Sequence, residues 1–180
     1  MNNTKDNMTR IIHWVSAILL LFLIGLGFYM TISEFDAYNF YLHKSLGVVA
    51  FIFIIIRLYW RKKQAWKSSS AGSSQEKLVS FVHKLLLVLF ILMPISGFLN
   101  SGFGGYGIYL FDLDIIPKNH DAEGNYLAFN QFLSNAGRLI HEIIAYAFTA
   151  LVVLHIVASL KHHFIDKDNT LNRMLNRNDQ

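Results

Sequence analysis

Four long apolar stretches, separated by polar segments, dominate the pattern of the 180-residue chain. Crossing a hydrocarbon core of about 30 Å takes about 20 apolar helical residues, and each stretch has roughly that length. Backbone polar groups that face lipid must be hydrogen-bonded within their own segment, which favours helices. The pattern therefore predicts an all-α integral membrane four-helix bundle, forming one domain over residues 1–180. The predicted spans run from Ile11 to Ile32, His43 to Trp60, Leu78 to Asn100 and Ala136 to Lys161.

The polar segments alternate in charge, and this alternation predicts an orientation. Basic residues beside membrane spans favour the cytoplasmic side, so the second linker, the tail and both termini are predicted to be cytoplasmic. The first and third linkers are acidic and are predicted to face outward. The bases are Arg61, Lys62, Lys63, Lys67 and Lys77 in the second linker and Lys161, Lys167, Arg173 and Arg177 in the tail; the acids are Glu34, Asp36, Asp112, Asp114, Asp121 and Glu123.

Three segments carry further expectations. The first span follows MNNTKDNMTR without a small-residue cleavage site, so we expect it to be retained. Residues 68–75, SSSAGSSQ, are typical of a flexible polar linker. In the third linker the apolar piece from Tyr106 to Ile116 is predicted to lie along the membrane surface as a lid over the bundle.

Composition narrows the chemistry that the bundle can perform. The chain is 53% hydrophobic and 16% charged, as expected of a membrane protein, and it contains no cysteine. The missing cysteines exclude disulfides, thiolate metal sites, iron–sulfur clusters and covalent c-type haem attachment. Any metal must therefore be held by histidine or carboxylate.

Five of the eight histidines lie within or at the ends of the spans. A single membrane histidine is often explained by a hydrogen bond between helices, but ionisable groups in a membrane interior are costly and usually mark function. These histidines are His13, His43, His83, His141 and His155.

Spacing sorts four of these histidines into two layers. His141 and His155 lie 14 residues apart, so they point in nearly the same direction about 21 Å apart along one helix. The orientation places His43 in the outer layer with His141, and His13 in the inner layer with His155. Two histidines from facing helices suit a six-coordinate haem iron, which predicts two haems. Gly47 and Gly137 each lie one turn from an outer-layer histidine and are expected to give a flat macrocycle room beside the backbone.

The sequence resembles the bacterial cytochrome b561 family, and in particular its superoxide oxidase branch. The resemblance covers nearly the whole chain, and its most specific part is KDNTLNRML at 167–175. It rests on IIHW at 11–14, HKSLG at 43–47, RLYWR at 57–61, VHKLLLVLFILMPISG at 82–97 and LHIVASLKHHFIDKDNTLNRML at 154–175.

This resemblance implies a multi-pass protein of the bacterial inner membrane that binds two haems b. The ligand positions of the family match the two histidine pairs inferred from spacing, His43 with His141 and His13 with His155. The resemblance also implies that superoxide is oxidised at the outer face and that ubiquinone accepts the electrons. Beyond these substrates and the lipid bilayer, we predict no nucleic-acid partner and no obligate protein partner.

Cations near the outer layer and histidines near the inner one are the candidates for substrate contacts. Superoxide is an anion, and Lys44 and Arg138 lie beside the outer ligands; the alternative is that both anchor helix ends at lipid headgroups. For the quinone, the resemblance favours His162, which otherwise belongs to a basic helix end facing anionic lipid. His83 is either a third inner-layer ligand or a second quinone contact.

Two other functions remain open at this point. Subunits that anchor a respiratory dehydrogenase or hydrogenase and pass electrons to quinone also carry histidines spaced along one helix. A metal or proton transporter that uses the histidines as ligands or relays would bind no haem.

Overall fold

Four long helices form the body of the protein in the computed structural model, which describes residues 3–34, 36–64, 76–168 and 170–175. The helices are α1 (Asn3–Ile32), α2 (Ala37–Gln64), α3 (Glu76–Phe103) and α4 (Gln131–Phe164), followed by a short α5 (Thr170–Leu175). All four long helices have the length and hydropathy of membrane spans, so the predicted four-helix architecture is confirmed. Several sequence-based expectations lie outside the described residues: the 68–75 linker, Lys67 and Arg177, together with the side chain of Arg173.

The bundle consists of two helix pairs. α1 packs against α2, α3 packs more extensively against α4, and α2 and α3 join the pairs. The buried core lies where the pairs meet and comprises Ile54, Phe90, Ile144, Phe148 and Val152. Many large apolar side chains remain exposed on the outer faces, among them Ile18 at 65% and Phe132 at 78%. An apolar outer surface is what a bundle surrounded by lipid requires.

Small residues allow α3 and α4 to approach closely. A Cβ added to Gly137 would lie 2.5 Å from the backbone nitrogen of Asn100 and 2.9 Å from the carbonyl oxygen of Ser96. One turn earlier, the buried Ser134 hydroxyl donates to the Asn100 carbonyl oxygen at 3.1 Å. Gly137 therefore serves the helix crossing, and the expectation that it makes room for a macrocycle is wrong.

A β-hairpin covers one end of the bundle, which we call the hairpin end. Strands β1 (Ile108–Leu110) and β2 (Leu113–Ile116) pair antiparallel within the linker between α3 and α4. Ile108 and Tyr109 are buried, and the Phe111 amide donates to the Ser45 hydroxyl on α2 at 3.1 Å. The apolar piece predicted to lie along the membrane surface is thus folded against the end of α2.

The opposite end, which we call the terminal end, gathers the start of α1, the end of α2 and the end of α4. The Trp60 indole donates to the Thr9 hydroxyl at 2.9 Å and so ties α2 to α1. The Trp14 indole donates to the Met174 carbonyl at 3.0 Å and so ties α5 to α1. Indole groups with one polar and one apolar edge suit a membrane interface.

Candidate functional site

His43 of α2 and His141 of α4 face each other near the hairpin end, and we call them the hairpin-end pair. Their ring centroids lie 6.2 Å apart, and the ring planes are inclined at 79°. Both side chains are partly buried between the helices. The structure therefore brings together the two histidines that the sequence assigned to the outer layer.

Hydrogen bonds fix the orientation of His141. Its Nδ1 lies 3.0 Å from the Met93 carbonyl oxygen and 3.0 Å from the Ser96 hydroxyl of α3. A carbonyl oxygen can only accept, so Nδ1 carries the ring proton and Nε2 keeps a free lone pair. This is the tautomer that a metal-binding histidine needs, with its second nitrogen held by neighbouring groups.

Glycines give both rings of the hairpin-end pair room beside neighbouring helices. A Cβ on Gly97 would lie 3.4 Å from Cε1 of His141, and one on Gly27 would lie 3.5 Å from Cε1 of His43. Beside Gly47, one turn after His43, nothing lies within 4 Å of the corresponding Cβ position. The backbone near His43 thus offers an open face to a flat group.

The second set of histidines lies toward the terminal end, and we call His13, His83 and His155 the terminal-end cluster. The ring centroids of His83 and His155 lie 5.5 Å apart, with an angle of 69° between their planes. His13 lies near enough to interact electrostatically with both. The sequence predicted a pair of His13 and His155, whereas the structure places His83 in ring contact with His155.

Arg57 of α2 reaches into the terminal-end cluster. Its Nη2 lies 3.0 Å from Nδ1 of His13. Guanidinium groups only donate, so this contact makes Nδ1 of His13 the acceptor and leaves the ring proton on Nε2. Nε2 of His13 is therefore protonated, whereas Nε2 of His141 has a free lone pair. Of the other two histidines in the cluster, His83 is the one whose ring contacts that of His155.

Two lysines gather around one tyrosine of the hairpin. The ammonium groups of Lys44 and Lys118 lie 5.3 Å and 5.8 Å from the ring centroid of Tyr109. Lys44 also donates to the Tyr106 carbonyl at 3.2 Å, and the Tyr41 ring stacks on Tyr109 at 5.1 Å. Burial raises the pKa of the Tyr109 phenol, so the ring stays neutral at neutral pH and attracts cations through its face.

Comparison with known proteins assigns these features to a family. A family model described as prokaryotic cytochrome b561 matches residues 5–177. The chain belongs to the prokaryotic cytochrome b561 family. Proteins of this family are membrane electron-transfer proteins that bind haem b, so this cytochrome b561 family member is one as well.

Two relatives from Escherichia coli (strain K12) support this assignment. Cytochrome b561 homolog 2 is 33% identical over 171 residues, which cover 92% of this chain and 87% of the relative. Cytochrome b561 homolog 1 is 26% identical over 137 residues, which cover 75% of this chain and 73% of the relative.

The hairpin-end pair fits the cofactor of the family. Two ring nitrogens each about 2 Å from a shared metal, with roughly 1 Å more to each centroid, would place the ring centroids about 6 Å apart. The observed separation is 6.2 Å. Together with the fixed tautomer of His141 and the open face of Gly47, this spacing suits a haem held between α2 and α4.

Arg138, the second cation predicted near the outer ligands, has a different environment from Lys44. It lies on an exposed face of α4, and its guanidinium is 4.0 Å from the Glu142 carboxylate one turn later. Both side chains are more than half exposed. The charge of Arg138 is therefore partly balanced, whereas Lys44 makes no ion pair within the described part of the chain.

Lys118 was missed by the sequence analysis as a candidate site residue. Its place beside Tyr109 depends on the hairpin fold. Its isolation among acids was the one available signal.

His162, the predicted quinone contact, lies at the end of α4 beside two carboxylates. Its Nδ1 is 2.8 Å from the Asp166 carboxylate and 3.4 Å from that of Asp168. The Lys161 ammonium, 2.8 Å from Asp166, holds the pKa of the Asp166 carboxyl below its usual value. An ionised Asp166 fixes one nitrogen of His162 and leaves Nε2 for another contact.

Proposed function

We propose that this family member is a di-haem oxidoreductase of the bacterial inner membrane that oxidises superoxide and reduces ubiquinone. In this proposal the hairpin end faces the periplasm and both termini lie in the cytoplasm. The observation that carries it is the two-layer arrangement on α4, where His141 and His155 each face a histidine of another helix. Two layers about 21 Å apart span much of the bilayer, as transmembrane electron transfer requires.

The ligand assignment follows the two layers. One haem is proposed to lie between His43 and His141. The other is proposed to lie between His155 and His13, a role in which Nε2 of His13 would have to give up the ring proton. His83, whose ring already contacts that of His155, is the competing ligand. Each haem, when bound, supplies an iron that takes up and releases one electron. Two histidines would hold each iron, so superoxide would not need to bind the metal to give up its electron.

Electrons and protons balance between the two substrates. Two superoxide anions each release one electron and become oxygen. One ubiquinone takes up these two electrons and two protons and becomes ubiquinol. His162 and His83 are proposed to hold a quinone carbonyl by a hydrogen bond and to pass a proton to it.

Lys44 and Arg138 are proposed to attract superoxide at the hairpin end. The pairing of Arg138 with Glu142 suggests unequal contributions. We expect Lys44→Gln to slow haem reduction by superoxide about tenfold at low ionic strength, because steering by a local cation is lost. Arg138→Gln serves as the matched control and is expected to change the rate less than twofold. The measurement is the second-order rate constant as a function of salt concentration. Equal slowing by both variants would contradict the unequal contributions, and no slowing by Lys44→Gln would contradict the role of Lys44.

Haem content distinguishes His13 from His83 in the terminal-end cluster. If His13 is the partner of His155, His13→Ala lowers the haem content from two per chain to one, whereas His83→Ala leaves it at two. The opposite result would transfer the ligand role to His83, whose ring already contacts that of His155. Pyridine haemochrome absorbance per mole of protein measures this content.

A respiratory cytochrome b subunit is the main competing function, because it would use the same two haem layers. It would receive electrons from a protein partner instead of superoxide. A metal transporter is less consistent with the side chains: within the described residues no group of three or more histidines or carboxylates, the terminal-end cluster included, is arranged to hold a metal ion.

Steady-state turnover of the purified chain separates these functions. Supplied with a superoxide source and a ubiquinone analogue, the protein is expected to form ubiquinol without any added partner. Added superoxide dismutase should abolish this reaction because it removes the substrate. Turnover only after a dehydrogenase is added would support the competing function.

A further inference from the structure

Positive charge is distributed unequally between the two histidine layers. Arg57 contacts His13 directly, and its charge also acts on His83 and His155. Arg61, one turn further along α2, adds to the field at His83. At the hairpin-end pair, the ring of His141 is instead held by neutral groups, the Met93 carbonyl oxygen and the Ser96 hydroxyl, each at 3.0 Å.

Placing Arg57 within a membrane-spanning helix costs free energy, which indicates that this residue has a role. It lies on a membrane-spanning helix, is partly buried, and takes part in none of the ion pairs of the described residues. A guanidinium in such surroundings loses hydration that no carboxylate replaces. Ionisable groups placed in this way within membrane spans usually serve function.

A fixed positive charge beside a redox centre favours the reduced state. Reduction adds one negative charge to the iron, so a nearby cation stabilises the product more than the reactant. The effect is strongest where water is scarce, as it is between membrane helices. Groups next to a metal ligand tune the potential of the metal in this way.

We infer that Arg57 raises the reduction potential of the haem in the terminal-end cluster above that of the haem at the hairpin-end pair. This inference rests on the proposed function, since it requires two haems in one chain. It gives the electron path a direction, from the hairpin end toward the terminal end. The effect of the charge holds whether His13 or His83 faces His155, because Arg57 acts on both. Arg57 is thus a positioning residue that acts through the ligands.

Redox titration of the haem α-band, followed for the complete protein in detergent, tests this inference. The wild-type protein is expected to titrate in two steps. Arg57→Gln should lower the upper step toward the lower one and leave the lower step unchanged. Arg57→Lys, which keeps the charge, should restore most of the upper potential. Arg61→Gln is the matched control: it removes a cation from the exposed surface of the same helix and should cause a smaller shift.

The His43→Ala variant shows which haem gives which step of the redox titration, and it leaves Arg57 unchanged. It should keep only the haem of the terminal-end cluster, and that haem should titrate at the upper wild-type step. The inference is overturned if this haem titrates at the lower step, or if Arg57→Gln leaves the upper step in place. Even if Arg57→Gln loses its haem, the His43→Ala result decides which of the two haems has the higher potential. A wild-type protein with a single haem would instead overturn the proposed function on which the inference rests.

Discussion

Replacing His141 with alanine is expected to lower the haem content from two per chain to one. The Nε2 atom of His141 is the free nitrogen of a ring whose other nitrogen is held by Met93 and Ser96. Alanine offers iron no nitrogen, and His43 alone would be left to hold the haem. The haem of the terminal-end cluster should remain, because its ligands lie about 21 Å away along α4. Pyridine haemochrome absorbance per mole of protein measures the loss.

Two further variants test whether the loss of haem is specific to the hairpin-end pair. His43→Ala should remove the same haem, and combining both substitutions should remove no more than either one alone. His120→Ala is the matched control, because His120 is an exposed linker histidine far along the chain from either helix ligand. Retention of two haems by the His43→Ala and His141→Ala variants would disprove the assignment of the hairpin-end pair.

Gly137→Ala is expected to destabilise the fold at the contact between α3 and α4. The added Cβ would fall 2.5 Å from one backbone atom of α3 and 2.9 Å from another, and backbone cannot turn aside as a side chain can. Overpacking of this kind costs about 1–3 kcal/mol or more. Because Gly137 lies one turn before His141, we also expect weaker retention of the hairpin-end haem.

Gly25→Ala is the control for the Gly137 substitution. It makes the same chemical change within a membrane helix, but nothing lies within 4 Å of the new Cβ. Thermal unfolding in detergent, followed by circular dichroism, should show a lower midpoint for Gly137→Ala and an unchanged or slightly higher one for Gly25→Ala. Equal midpoints for the two variants would show that α3 and α4 do not meet at Gly137.

The helical architecture was predictable because a membrane imposes a simple rule on the sequence. An apolar segment must be long enough to cross and must satisfy its own backbone, so four such segments give four helices. The layered histidines were predictable for a related reason. Helical geometry alone places His141 and His155 on one face, whatever the neighbouring helices do.

The hairpin was not predictable from local pattern, because its stability comes from distant contacts. Strand β1 has only three residues, and the linker is fixed by bonds such as that from Phe111 to Ser45, 66 positions apart in the chain. Nothing in the sequence of the linker indicates that partner. The cluster of Lys44, Lys118 and Tyr109 depends on this fold and was missed for the same reason.

The terminal-end cluster shows the limit of spacing arguments. Its three histidines lie on three different helices, so their mutual distances depend on helix rotation and packing. Sequence spacing fixes the direction of His155 relative to His141 but says nothing of whether His13 or His83 faces it. The contact of Arg57 with His13 depends on the same packing of α1 against α2.

Stopped-flow mixing of the oxidised, purified protein with superoxide tests the central claim most directly. We expect rapid growth of the reduced haem α-band, followed by reoxidation when a ubiquinone analogue is present, and no growth when superoxide dismutase is added first. Two haems that remain oxidised in the presence of superoxide would contradict the proposed function and favour a cytochrome that receives its electrons from a protein partner.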